Sequence, residues 1–533
     1  MDRIKNAIIN GKTALGIELG STRIKGTLID LETCAPIASG GHSWENRFED
    51  GIWTYHMEDV WEGIPACYAA LAKNVAELYG VELTTIGAIG ISAMMHGYLV
   101  FDENDRQLAP FRTWRNTITE KSSAELTALF NHNIPQRWAI SHLYHSILNK
   151  EEHVKEITFM TTLAGYVHWK LTGEKVLGMN DASGMFPIDD KTMNYDTARA
   201  ALFDQKLSDA GLPFNLLSVL PKAIIAGNEA GRLTKEGALL LDPTGKLQPG
   251  IPFCPPEGDG GTGMVATNST KPNTGNVSAG TSVFLQAVLE KNLSKVYPEI
   301  DMITTPDGKP VAMVHCTNCT CELDAWVKLV KEALAEFGVT PDTNSVYVTL
   351  YNKALSGDKD CGGILAYNYL SGEHITEIME GRPLLVRTPE SRFNLANFMR
   401  AQLYASIATL NIGMNILFEQ ENLHLSNVMG HGGLFKGQDV GQRVMAASLN
   451  TPVTVMETAG EGGSWGIALL AGYLLKANGR TLDEYLDQDV FADCATSTIE
   501  PDPADAKGYA DFMKNYVPGL EVEKAAVAAL SLK

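Results

Sequence analysis

The feature that most constrains this chain is a short pattern that occurs twice. Ile17-Glu18-Leu19-Gly20-Ser21-Thr22 and Val277-Ser278-Ala279-Gly280-Thr281-Ser282 each place glycine and two hydroxyl residues after an apolar strand end, 260 positions apart. Each copy opens a strand–turn–strand. Residues 13–19 are nearly continuously apolar and residues 23–31 alternate apolar with polar, so Gly20-Ser21-Thr22 reads as the tight turn of a hairpin. Residues 274–289 repeat the layout. One such string is an ordinary turn; two, each near the start of one half of the chain, point to paired domains. Glycine also lets a backbone approach an anion that amides and hydroxyls can bind, so the pair reads as two phosphate loops.

At 533 residues the chain exceeds one ordinary core. Its 43 basic and 63 acidic residues leave a net charge of −20, which argues against nucleic acid or an anionic membrane as partner. A polyanionic ligand would need local neutralisation by amides, a metal and a few cations. No basic-then-apolar leader and no long apolar run appear, and the eight cysteines show no disulfide rhythm. A cytoplasmic protein with reduced thiols is expected.

Residues 59–79 carry apolar side chains at helical spacing, with Asp59 placed to cap the start. A buried strand is expected over 86–92. Helix and loop follow over 151–225, then a long helix over 395–418, a strand entering a glycine turn at 426–433, a helix over 438–449, a strand over 452–456 and a helix over 464–477. Beyond 480 short helices are expected. The Pro- and Gly-rich stretch 241–258 marks the main boundary, giving domains 1–260 and 261–478 and a helical tail 479–533.

Several strings could carry chemistry. Asp259 stands in a run of glycines, Glu257-Gly258-Asp259-Gly260-Gly261-Thr262-Gly263, where a carboxylate could accept a proton from a hydroxyl attacking phosphorus; a flexible interdomain turn is the alternative. Arg23 and Lys25 share one strand face beside the first loop and could neutralise phosphate or simply face solvent. The stretch 94–116 combines Met95, His96, Trp114, Arg115 and Asn116, a mix of apolar surface and hydrogen-bond partners suited to a sugar, although a lone histidine is more often structural. His315-Cys316-Thr317-Asn318-Cys319-Thr320-Cys321 lacks a second cluster to complete a zinc site and reads as packing at a helix start. Gly430-His431-Gly432-Gly433 could hold a nucleotide at a helix N-terminus, and 460–472 forms a glycine turn feeding a small-residue helix.

In this order the strings resemble the FGGY carbohydrate kinases of the sugar kinase, Hsp70 and actin superfamily, over roughly residues 13–475. LGIELGSTRIKGTLID is similar to the first phosphate loop, ISAMMHGYLVFD with FRTWRN to the sugar-site strand and W-x-D segment, and YVHWKLTGEKVLGMNDASGMFPID to the LTG…SDASGT stretch. AGRLTKEGALLL and IPFCPPEGDGGTG are similar to the approach to the catalytic aspartate, NVSAGTS to the second phosphate loop, and VMGHGGLFKGQDVGQRVMAASLNTPV to the adenosine end. The MHG tripeptide and the 166–189 stretch look closest to xylulose kinases. The resemblance implies an α/β fold of two actin-like (ribonuclease H-like) domains with an interdomain cleft. It also implies ATP as co-substrate, magnesium, and a small-molecule sugar, with no nucleic acid or membrane partner; a homodimer is left open.

Carried over by position, Asp259 is the general base. Gly20, Ser21, Thr22, Arg23, Gly280 and Thr281 surround the phosphates, and Gly432 and Gly433 lie by the adenosine. Met95, His96, Trp114, Arg115 and Asn116 fall at the sugar, and Glu18 and Asp259 (via water) at the metal. Two departures stand out: Glu18 replaces the usual aspartate of the first loop, one methylene longer, and Asn116 replaces the acid of W-x-D, which removes a charge and adds donors. The expected activity is phosphorylation of a terminal hydroxyl of xylulose or a related ketopentose. The alternatives are a kinase for another ketose, a polyol or a sugar acid, or a non-catalytic ATP-gated regulatory relative.

Overall fold

The computed structural model describes residues 2–436, 439–457 and 462–530. They form two compact units: residues 1–271, 301–311 and 461–494, and residues 272–300, 312–460 and 495–533. Compactness therefore divides the chain differently from the expected boundaries at 260 and 478, because the segment after residue 461 packs with the first unit.

The first unit is built on a sheet in the order Glu257–Gly258, Ala88–Ala93, Thr13–Leu19, Arg23–Asp30, Pro36–Ser43. Thr13–Leu19 runs antiparallel to Arg23–Asp30 and parallel to Ala88–Ala93. Period-two alternation gives the sheet two apolar faces. Gly26 faces Cys67 and Leu71 of helix Met57–Tyr79, while Gly16 and Thr27, register partners, face helix Gly462–Lys476. A β-carbon at Gly16 would lie 2.0 Å from the Ser464 carbonyl oxygen, so the small residues at both positions let strand and helix touch backbone to backbone.

The second unit has the order Pro310–Cys316, Val283–Val288, Thr274–Ala279, Asn427–His431, Val453–Met456, Thr496–Ile499. Here too the strand before the glycine loop has an antiparallel return strand on one side and a parallel strand on the other. The repeated hexapeptide thus marks the same place in two similar sheets. Helix Leu395–Asn415 is buried almost all round, and its Arg400 is satisfied by Asp505, Tyr404 and two backbone carbonyls.

Two local expectations change. Helix Met57–Tyr79 starts two residues before Asp59, which lies in the first turn and pairs with Arg47 at 2.8 Å. The tail is not a set of short helices alone. It includes strand Thr496–Ile499 and the 27-residue helix Pro503–Ala529. Asp502 caps that helix by accepting from the amides of Ala504 and Asp505, and Pro503 occupies its first turn. No helix among the described residues is long and apolar enough to cross a membrane.

Candidate active site

Gly20-Ser21-Thr22 closes a turn through a Gly20 N–H bond to the Arg23 carbonyl at 3.0 Å, with Ser21 and Thr22 exposed. Of the two cations beyond it, Arg23 folds its guanidinium across Gly41 of the neighbouring strand. Lys25 is the register partner of Glu18 and attracts its carboxylate.

Glu18 is the penultimate residue of strand Thr13–Leu19, and its longer side chain reaches the start of helix Gly462–Lys476. There the Ser464 amide donates to it, and a β-carbon at Gly463 would lie 2.4 Å from its Oε1. Only glycine leaves room for the extra methylene. Burial pushes the Glu18 carboxyl up, the charge of Asp259 adds to this, and Lys25 and the Ser464 amide oppose it.

Asp259 begins helix Asp259–Ala266 directly after the short strand Glu257–Gly258, which pairs with the end of Ala88–Ala93. This brings Asp259 to the Met95-His96-Gly97 turn, where its Oδ1 accepts the Met95 amide at 3.1 Å. Its carboxylate keeps contact with solvent in a crowded setting. Desolvation raises its pKa, and the amides of Met95, Gly260 and Asp259 itself temper the rise.

Behind Asp259 lies a group whose individual roles the sequence did not reveal. Asn180 accepts the Gly261 amide at 2.9 Å and donates to the Thr304 carbonyl at 2.7 Å, which fixes the first turn of the Asp259 helix. Glu257 accepts the Asp181 amide at 3.1 Å, and Asp181 accepts the Thr162 hydroxyl at 2.5 Å. Burial pushes Asp181 up to about 7 and Glu257 well above its usual range. Asn180 and Asp181 lie in the 166–189 stretch and Glu257 in the string of Asp259, but strand pairing was needed to bring them together.

On the sugar side, His96 sits at φ 68° and Gly97 at φ 102°, a left-handed pair that turns the chain sharply. His96 Nδ1 lies 3.2 Å from the Gly184 carbonyl, its ring stacks near Trp138, and Gly184 leaves the space the ring fills. Arg115 lays its guanidinium 3.7 Å from the centre of the Trp53 ring, and Trp114 is exposed. Asn116, expected at the sugar, has both polar groups of its side chain engaged within the protein. It is buried, its Oδ1 accepts the Trp53 amide at 2.9 Å, and its Nδ2 donates to the carbonyls of Trp53 and Thr113 at 2.8 and 3.0 Å. Clasping both polar groups of Trp53 needs a donor and an acceptor on one side chain, which an amide supplies and a carboxylate does not.

In the second unit, the Gly280 carbonyl accepts from the Thr320 amide and hydroxyl, each at 3.0 Å, and the Thr281 carbonyl accepts from the Cys319 amide at 3.0 Å. The Cys-Thr-Cys string therefore holds the second loop as well as starting a helix. Among the described residues no group of three or more His, Cys, Asp or Glu could hold a metal ion. Gly432, at φ 99°, packs so closely on Ala279 that a β-carbon would meet its carbonyl oxygen at 2.5 Å. Gly433 opens on a cavity of about 430 Å³ whose walls include Thr320, Asp324, Asn344, Tyr347 and Tyr351. The Tyr347 hydroxyl donates to Asp324 at 2.9 Å. The sequence reading missed this wall, because helical spacing alone does not reveal which face is left open.

Known proteins share this architecture. Residues 13–265 match the N-terminal domain of the FGGY family of carbohydrate kinases, and residues 275–475 match its C-terminal domain. A xylulose kinase of Haemophilus influenzae is 22% identical over 517 residues, 95% of this chain and 99% of the relative. The solved gluconate kinase of Lactobacillus acidophilus superposes with a TM-score of 0.78 at 17% identity, covering 97% and 98% of the two chains. The xylulose kinase of Rhodospirillum rubrum gives 0.77 at 18% identity, covering 96% and 98%. With both domains matched in order, this chain belongs to the FGGY family of carbohydrate kinases and is a phosphotransferase.

Proposed function

We propose that this carbohydrate kinase transfers the γ-phosphoryl group of ATP to a terminal hydroxyl of xylulose or a related ketopentose, with Asp259 as general base. The bond from the Met95 amide to Asp259 carries the reading, because it ties the candidate base to the turn bearing His96. The full-length likeness to a xylulose kinase supports the choice of sugar. The hydroxyl oxygen attacks the γ-phosphorus, its proton passes to Asp259, and the bond to the bridging oxygen breaks to release ADP. A carboxylate raised above its ordinary value is a better match to neutral pH than an unperturbed one.

The amides of the Gly20 and Gly280 loops stabilise the charge on the phosphate oxygens. The cavity beside Gly433 takes the adenosine, and Met95, His96, Trp114 and Arg115 meet the sugar. Glu18 and Asp259 suit a magnesium ion held through water, since they are hard oxygen donors, and the Glu18 carboxyl is raised by burial first and by the charge of Asp259 second. When bound, that ion would neutralise phosphate charge.

An ADP-release assay across ketopentoses, ketohexoses, polyols and sugar acids, with the phosphorylated carbon identified, tests the proposal. Turnover fastest with a ketopentose is expected; turnover confined to sugar acids or polyols overturns the choice of substrate. Arg115, an exposed-side cation over Trp53, favours a sugar acid as the second reading.

A further inference from the structure

The two glycine loops are anchored in the same way by unrelated means. In the second loop, the carbonyls of Gly280 and Thr281 are held by the chain at Cys319 and Thr320. In the first, the corresponding carbonyls are held by side chains. The Trp44 indole N–H donates to the Gly20 carbonyl at 2.7 Å, and the Tyr55 hydroxyl donates to the Ser21 carbonyl at 2.7 Å. The Trp44 amide holds the third carbonyl, that of Thr22, at 3.1 Å.

A trans peptide is planar, so its carbonyl and the following N–H point in opposite directions. Tying down Gly20 and Ser21 therefore turns the amides of Ser21 and Thr22 the other way, and the second loop does the same for Thr281 and Ser282. Among the described residues these four amides have no acceptor. Each pair makes a concave set of donors for an anion.

The anchors of the first loop are themselves fixed. Trp44 and Tyr55 are buried and stack with ring centres 4.3 Å apart, and Tyr55 lies 6.4 Å from Phe111. Phe111 in turn packs under Gly97, where a β-carbon would come within 2.6 Å of its ring. One aromatic row thus runs from the phosphate loop to the turn that carries His96. Burial pushes the Tyr55 phenol up to about 12, which keeps it a hydrogen-bond donor at any working pH.

We propose that Trp44 and Tyr55 are positioning residues for phosphoryl transfer, aiming the Ser21 and Thr22 amides at the transferred group and registering that loop against the sugar turn through Phe111. The inference rests on the kinase reading above. Tyr55→Phe keeps the stack and removes only the hydroxyl; Trp44→Phe removes the indole N–H. Both variants are measured for kcat, for KM of ATP and sugar, for sugar affinity by calorimetry without nucleotide, and for thermal midpoint.

A fall in kcat of about tenfold or more is expected for Tyr55→Phe, with both KM values and the sugar affinity within about threefold of the parent and the midpoint nearly unchanged. A structural role alone would move affinity and midpoint together with rate. Unchanged kcat, or a fall matched by lost sugar affinity and lost stability, overturns the inference while leaving the kinase reading intact. A parent protein that releases no ADP with any sugar overturns that reading and the inference with it.

Discussion

Replacing Gly463 by alanine tests whether the longer acid at position 18 is accommodated by the residue opposite it. A β-carbon at 463 would lie 2.4 Å from Glu18 Oε1, 2.8 Å from Thr262 Oγ1 and 2.9 Å from the Glu18 carboxyl carbon. All three are side-chain atoms, and Gly463 lies in helix Gly462–Lys476 outside the left-handed region, so the alanine backbone is unstrained. The helix gains roughly 0.5–1 kcal/mol from losing glycine. Driving Glu18 from its rotamer costs about 0.5–1.5 kcal/mol. Giving up its bond from the Ser464 amide costs roughly 1.5–3 kcal/mol, less whatever water restores. The net loss of stability is then about 1–4 kcal/mol before water is counted, a drop of a few degrees in thermal midpoint.

The effect on metal use should be larger, since misplacing a carboxylate that orients a metal's shell typically costs about 10–100-fold. ADP release measured against magnesium concentration should show the half-saturating level rising at least about tenfold. Adding Glu18→Asp withdraws the carboxylate by one methylene and should recover part of that loss. Gly466→Ala is the contrasting control. Its β-carbon meets the Thr262 carbonyl oxygen at 2.0 Å, a backbone atom that cannot rotate away, so stability falls while the magnesium requirement of the folded protein holds. A Gly463→Ala protein whose magnesium requirement stays within about twofold of the parent's refutes the reasoning. So does a double variant no better than the single one.

Asp259→Asn should lower kcat by about 10²–10⁴-fold while ATP affinity is spared, because the amide still accepts the Met95 N–H but cannot take a proton; near-normal turnover removes Asp259 from the role. Asn116→Asp loses both donations, to Trp53 and Thr113, and should cost at least about 2 kcal/mol with sugar preference unchanged. An unshifted thermal midpoint, or a changed sugar preference, contradicts the clasp. Glu523, buried in the second unit, is pushed up to about 7 by burial, opposed by the Arg382 amide at 2.6 Å and by that residue's charge. Since its folded value lies above the ordinary carboxylate value of about 4.3, the unfolded chain ionises first, and stability falls as pH rises between the two. Glu523→Gln should therefore raise the midpoint relative to the parent by more at about pH 8 than at about pH 5; a pH-independent difference would argue against this origin.

What the sequence determined by itself was whatever glycine dictates locally. Gly20 and Gly280 mark turns open to an anion, the glycines around Asp259 mark an open approach to a carboxylate, and the order of these strings points to the family, because each depends on the conformations of adjacent residues. The tail helix was not legible: short helices were expected beyond 480, and Pro518 in the interior of Pro503–Ala529 hides its length. Only the tertiary structure decided how these pieces work. Asn116 clasps the backbone of Trp53, 63 residues away, a partner that its own string does not reveal. Glu18 looked too long until helix Gly462–Lys476 brought Gly463 against it. Trp44 and Tyr55 carried no motif at all, yet they hold the loop carbonyls from 24 and 34 residues away. Such contacts depend on which faces the sheet and helices of one unit turn toward one another, and that is set by packing of the whole unit rather than by any local stretch of chain.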